Sequence, residues 1–170
     1  MKWFWILIRY ILSFVVVLSI SLFYFIFTPI TSGFLFLILN LFYKEVLFSF
    51  PFFIFNSFTI EIIPACIAGS AYVLLLLLNL LTPNIKIGKR ILLFLFSSVV
   101  FLFINVIRIF LSVLILDKST GLFSAVHMGF WFLSIVFVIL IWFLSIKLFK
   151  INEKPVYTDL KFILKNLRKK

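Results

Sequence analysis

Residues 91–106 carry no charged side chain. A run of that length and apolarity cannot be half-buried on an aqueous domain, and it dictates lipid as the solvent for at least part of the fold. A helical crossing of a bilayer needs about 20 predominantly apolar residues. Residues 3–27, 63–81, 91–116 and 122–146 meet that requirement. Composition agrees, since 65% of the 170 residues are hydrophobic and 12% are charged, against roughly 25% charged in soluble domains. A water-soluble fold is excluded.

The net charge of +11 would point to nucleic acid on a soluble surface, but here the charges collect at the ends of apolar segments. Residues 147–170 hold eight Lys or Arg against Glu153 and Asp159, and residues 83–90 hold Lys86, Lys89 and Arg90 with no acid. The positive-inside rule puts both segments, and with them the N- and C-termini, in the cytoplasm. Residues 28–62 offer only Lys44 against Glu45 and Glu61, which suits the outer side. The expected partner of this charge is membrane lipid, with no nucleic acid.

The first apolar segment follows Lys2 and Arg9 but is long and lacks a small-residue cleavage site, so it reads as an uncleaved membrane helix. Residues 31–43, too short to cross alone, are expected as an interfacial or re-entrant helix on the outer side. Residues 58–62 alternate apolar with polar after Asn56-Ser57, a strand-like period, and predict a small hairpin at the outer interface. Residues 152–170 space Leu160, Ile163, Leu164 and Leu167 as a basic amphipathic helix for an anionic leaflet. The expectation is an all-α polytopic integral membrane helix bundle with about 4–5 transmembrane helices and a small outer-face hairpin. Residues 1–147 form the embedded domain and residues 148–170 a basic cytoplasmic tail.

Few side chains inside the four segments can do chemistry. The single cysteine, Cys66, excludes an internal disulfide. The other two are the single histidine, His127, and Arg108. An arginine deep in a membrane helix costs at least about 2.5–3.5 kcal/mol on insertion scales and is kept in a bundle interior when it has work to do. On the expected topology, Cys66, His127 and Arg108 lie roughly 5, 8 and 12 Å below the outer ends of their helices. Three helices thus carry these residues at compatible depths. The chemistry these residue types allow is nucleophilic acyl transfer, in which a Cys66 thiolate would attack a carbonyl, His127 exchange the proton, and Arg108 stabilise the oxyanion or orient the substrate. Asn105, three residues before Arg108 on the same helical face, adds a donor. One Cys and one His are too few soft ligands for zinc, and no metal or cofactor is expected.

The order Glu61-Ile-Ile-Pro-Ala-Cys66-Ile-Ala-Gly-Ser70, then Asn105-Val-Ile-Arg108, then His127 on a last helix resembles the exosortase and archaeosortase family in a short, core-only form. The resemblance implies that Cys66, Arg108 and His127 are catalytic and that the chain is a cysteine peptidase or transpeptidase of the cell membrane, its site near the outer face. It implies substrates that are surface proteins with a C-terminal transmembrane sorting signal, whose acyl group passes to a membrane acceptor. Pheromone-processing cysteine endopeptidases place the His before the Cys, rhomboid-like chemistry needs a Gly-x-Ser-x-Gly elbow, and aspartyl membrane proteases need two intramembrane carboxylates. None of these patterns is present in the sequence. The alternative is a non-enzymatic membrane scaffold or assembly protein in which the same polar residues hold helices together.

Overall fold

The computed structural model describes residues 2–43, 45–118, 120–151, 153 and 155–167, of which residues 2, 117, 118, 120–125, 127, 131, 166 and 167 are described in backbone only. Among the described residues, seven helices and one small sheet follow in the order α1 (Lys2–Leu18), α2 (Ile20–Phe42), β1 (Leu47–Ser49), β2 (Phe52–Ile54), β3 (Thr59–Glu61), α3 (Pro64–Ile67), α4 (Gly69–Leu81), α5 (Ile87–Lys118), α6 (Thr120–Leu148) and α7 (Tyr157–Leu167). Among the described residues, three stretches are long and apolar enough to cross a membrane: Ile20–Phe42, Ile87–Leu116 and Met128–Leu148. This is the architecture of an α-helical membrane protein.

Residues 31–43 are not a separate re-entrant helix. Residues 31–42 form the second half of α2, which continues through Pro29 and ends at the extended Tyr43, as proline is tolerated in a membrane helix whose neighbours cover the freed backbone. The interruption falls at Ser19 instead. Its hydroxyl donates back to the Val15 carbonyl at 2.9 Å while its own N–H reaches the carbonyls of Val15 and Val16, a back-bond that bends helices. Beyond the bend the chain keeps travelling along the bundle. Arg9 of α1 stands at one end, paired with Asp159 of α7, whereas Phe36, Leu35 and Leu39 of α2 pack at the other end against the sheet.

The expected helix over residues 63–81 is also broken, into α3 and α4, at Ala68. That residue takes the left-handed conformation, φ 55° and ψ 43°. α4 alone has 13 residues, about 20 Å, short of a hydrocarbon core of about 30 Å. Gly69 follows the break because Tyr24 of α2 occupies the space a side chain would need: a Cβ there would stand 2.8 Å from the tyrosine ring.

The strand-like period resolves into three strands, not two, in an antiparallel meander of order β1-β2-β3. Phe53 is fully buried at its centre, among Leu35, Leu39, Ile62, Ile67, Val106 and Ile109. That apolar plug anchors the sheet over α2, α3 and α5.

α5 is the spine. Its buried face carries Leu93, Ser97, Phe101, Asn105, Arg108 and Ser112, spaced three or four residues apart as one helical stripe. Ser97 meets Ser145 of α6 at 2.8 Å, and Arg90 caps the end of α4 by donating to the carbonyls of Asn79 and Thr82. At the same end Asn84 donates to Glu153 and the Val156 N–H reaches the Leu81 carbonyl. The tail therefore folds back onto the bundle. In α7, Asp159 and Phe162 turn inward, to Arg9 and Trp3, while Leu160 and Leu164 stay exposed.

Two adjacent substitutions test the break. Gly69→Ala should destabilise the fold by about 1–3 kcal/mol through overpacking against Tyr24. Ala68→Gly should stabilise it by about 1 kcal/mol, because the left-handed conformation costs an L-residue roughly that much. Unfolding of the purified protein in mixed micelles reads both; equal responses of the two variants would contradict the geometry.

Candidate active site

A helix interrupted at Ala68 leaves the carbonyls of Ala65, Cys66 and Ile67 without the partners that a continuing helix would supply. In apolar surroundings such a group costs several kcal/mol unless a donor reaches it. The donors come from α5. Asn105 Nδ2 donates to the Cys66 carbonyl at 2.9 Å and to the Ile67 carbonyl at 3.4 Å. One terminal nitrogen of the Arg108 guanidinium donates to the carbonyls of Ala65 (3.1 Å) and Cys66 (3.3 Å). Its other terminal nitrogen donates to the Ser134 hydroxyl of α6 at 2.7 Å. Arg108 is 8% exposed and Asn105 2%.

Two cavities flank this grip. The first, about 310 Å³, is bounded by residues 59–63, by Cys66 and Arg108, and by the α5 side chains Ile109, Ser112, Val113 and Leu116. The second, about 420 Å³, lies between α2, α4 and α6, and Arg108 lines it together with Tyr24, Ser70 and Ser134. Arg108 is thus shared by both. Cys66 is half-buried and lines the first cavity, as does the exposed Glu61 of β3.

Of the residues singled out from the sequence, Cys66, Asn105 and Arg108 meet in space, and the contact runs through the Cys66 backbone carbonyl. His127 stands on α6 in backbone only, and its side chain lies outside the described residues. Its backbone is seven residues before Ser134, about 10 Å nearer the sheet end of the bundle. Ser134 is a member of the cluster that the sequence did not single out, since a serine in an apolar helix has no signature of its own. Glu61 and β3 are likewise new to the site. Among the described residues, no group of three or more His, Cys, Asp or Glu could hold a metal ion.

The guanidinium has five N–H donors, and the three bonds above use three of them. Among the described residues the other two have no partner. Asn105 Oδ1 is buried with no hydrogen-bond partner among the described residues, and both carbonyl contacts of its amide require the nitrogen to face α3. The arrangement can hold the Cys66 backbone rigidly while the guanidinium, with two donors free of described partners, lines both cavities. Comparison of the chain with protein-family models, curated proteins and solved structures returned no match.

Because Asn105 and Arg108 grip one carbonyl, their removal should not be additive. Asn105→Leu and Arg108→Lys should each cost about 1–3 kcal/mol by leaving α3 carbonyls unpaired; lysine keeps the charge but cannot bridge from Ser134 to α3. The double variant should show a coupling of about 0.5 kcal/mol or more in a double-mutant cycle. Strict additivity would mean that the two side chains hold separate parts of the fold.

Proposed function

We propose that this protein is an intramembrane cysteine peptidase or transpeptidase of the exosortase and archaeosortase type. Its substrates are surface proteins with a C-terminal transmembrane sorting signal, and it passes their acyl group to an amine-bearing acceptor in the membrane. The observation that carries this function is the meeting of the chain's single cysteine and its deeply buried arginine, from separate helices, at the wall of one apolar cavity. The N- and C-termini are cytoplasmic on this proposal, with the sheet and Cys66 towards the outer face. The kinked α1–α2 pair then crosses once, α3–α4 returns, and α5 and α6 complete four passages, which leaves the basic residues 83–90 and 147–170 on one side in accord with the positive-inside rule.

In the proposed reaction His127 accepts the proton of the Cys66 thiol, and the thiolate attacks the scissile carbonyl. The two uncommitted N–H groups of Arg108 stabilise the oxyanion. Collapse of the tetrahedral intermediate breaks the C–N bond, and His127 returns the proton to the departing amine. An acceptor amine then attacks the thioester, forms the new amide and releases Cys66 as thiol. Asn105 acts at one remove, by fixing the backbone from which Cys66 projects.

One observation favours the non-enzymatic alternative. Among the described residues, every side-chain hydrogen bond that Asn105 and Arg108 donate goes to a backbone carbonyl or to Ser134, and these bonds would stabilise a broken helix in a scaffold with no chemistry to perform. The two functions separate at Cys66. Cys66→Ala should abolish cleavage of a co-expressed protein bearing a C-terminal apolar helix and a basic end, at unchanged enzyme abundance. An unimpaired Cys66→Ala variant would leave the scaffold.

Two further outcomes follow from the proposed roles. His127→Gln should lower turnover by about 10²-fold or more in vesicles with insertion unaffected, as loss of a general acid–base requires. An interhelical hydrogen bond alone would contribute only about 0.6 kcal/mol, so near-normal turnover would remove His127 from the reaction. A membrane-impermeant maleimide should label Cys66 in intact cells; labelling only after the cells are opened would reverse the topology.

A further inference from the structure

β3 is an edge strand, and its unpaired side opens on the cavity of Cys66. Ile62 donates its N–H to the Pro51 carbonyl at 2.9 Å, and Phe55 donates to the Phe58 carbonyl at 2.9 Å. In the register Phe52↔Glu61, Phe53↔Ile60 and Ile54↔Thr59, these bonds make Phe58, Ile60 and Ile62 the residues whose amide groups face β2. Opposed residues in an antiparallel pair alternate between bonded and non-bonded, so the N–H and C=O groups of Thr59 and Glu61 face away from β2. Outside the sheet neither residue has a backbone hydrogen bond among the described residues.

Among the described residues no fourth strand pairs with that side. Instead, residues 59–63 form one wall of the first cavity, and Cys66 with Arg108 forms another. An unpaired edge among apolar side chains calls for amide partners. Two donor–acceptor sets two residues apart along a strand match the repeat of one ligand class, an extended polypeptide. The wall from Thr59 to Ile63 is about 13 Å long, enough for about four residues of such a chain at 3.3 Å each.

We infer that the outer edge of β3 binds an extended segment of polypeptide as a fourth strand and thereby carries a peptide bond to Cys66. This deepens the proposed function and rests on it, since it names the recognition mode of the same cavity. The ligand is defined by its backbone. Specificity at this subsite comes from side chains that alternate between the apolar cavity wall and the exposed face of Thr59 and Glu61, where the Glu61 carboxylate favours a basic residue.

The test uses the single cysteine as a tether and needs no turnover. The full-length protein in detergent is treated with the heptapeptide acetyl-Ala₃-Cys-Ala₃-amide, activated as its thiopyridyl disulfide, which joins Cys66 by thiol–disulfide exchange with release of thiopyridone. Amide hydrogen exchange is then followed residue by residue. The expected result is that the Thr59 and Glu61 amides slow by about 10-fold or more relative to protein capped with a methyl disulfide, the effect of roughly one net hydrogen bond. The Ile60 amide, already paired with β2, should not change. The same peptide N-methylated along its backbone should give no slowing. Unchanged exchange at Thr59 and Glu61 overturns the inference, and so does equal protection by the N-methylated peptide, which would be occlusion and not pairing. Failure of the tether to react overturns it too, because a cavity closed to a small disulfide cannot admit a chain. Each of these leaves the cysteine chemistry to be judged separately, by cleavage in the Cys66→Ala variant.

Discussion

The architecture around Cys66 depends on one problem, how to end a helix inside an apolar environment. α3 stops after a single turn because Ala68 turns left-handed, and its last carbonyls would be ruinous in lipid if they stayed bare. Asn105 and Arg108 supply the donors. Once those bonds form, several other features are fixed. α5 must lie against α3, Ser134 must lie near enough to hold the far side of the guanidinium, and the chain entering α3 must come from the sheet that packs above it.

The same solution is used a second time at the opposite end of α5. Arg90 donates to the terminal carbonyls of α4, and Asn79 returns a bond to the Arg90 carbonyl at 2.7 Å. Arg90 and Arg108 are 18 residues apart, five turns of 3.6, so they project from one face of α5 about 27 Å apart. One helix thereby caps both segments of a broken neighbour. The arginines differ in what surrounds them. Arg90 lies near the charged tail, where Arg9, Asp159 and Glu153 are engaged, whereas Arg108 lines two cavities and has two donors without a partner among the described residues. The first arrangement is sufficient for structure alone, while the second leaves room for a ligand.

The membrane character and the company of Cys66, Asn105 and Arg108 were legible because polar atoms are scarce in this chain and a buried one must find a partner. The strand-like period at residues 58–62 was legible for a similar reason, since alternation of that kind has no use in a lipid-facing helix. The break at Ala68 was not. Alanine is the strongest helix former, and Pro64 marks only where a helix begins, so nothing in residues 63–71 signals a left-handed residue. Pro29 misled in the opposite sense, because its cost in water is relieved in a bundle, and the bend was made by Ser19, whose hydroxyl gives no sequence signal at that position. Ser134 was illegible for the same reason. It is a partner chosen by tertiary proximity, and a single sequence carries no record of which hydroxyl lies opposite an arginine.

Depth gives these features a common logic. Arg108 lies ten residues, about 15 Å, from the end of α5 nearest the sheet, so the cavity beside it is flanked by apolar side chains over most of that distance. In such a place a peptide bond loses water before it gains anything, and its own N–H and C=O become a penalty of a few kcal/mol. A helix would satisfy them internally but would hide the carbonyl from any nucleophile. An extended chain exposes the carbonyl but needs external partners. On the proposed function, a sheet edge beside the broken helix meets both requirements at once: it would pair the extended backbone on one side while Cys66, held through its own carbonyl by Asn105 and Arg108, would meet the carbonyl on the other. That is a physical reason for a membrane helix bundle to include a three-stranded sheet at this position, and to set it against the one helix that stops short.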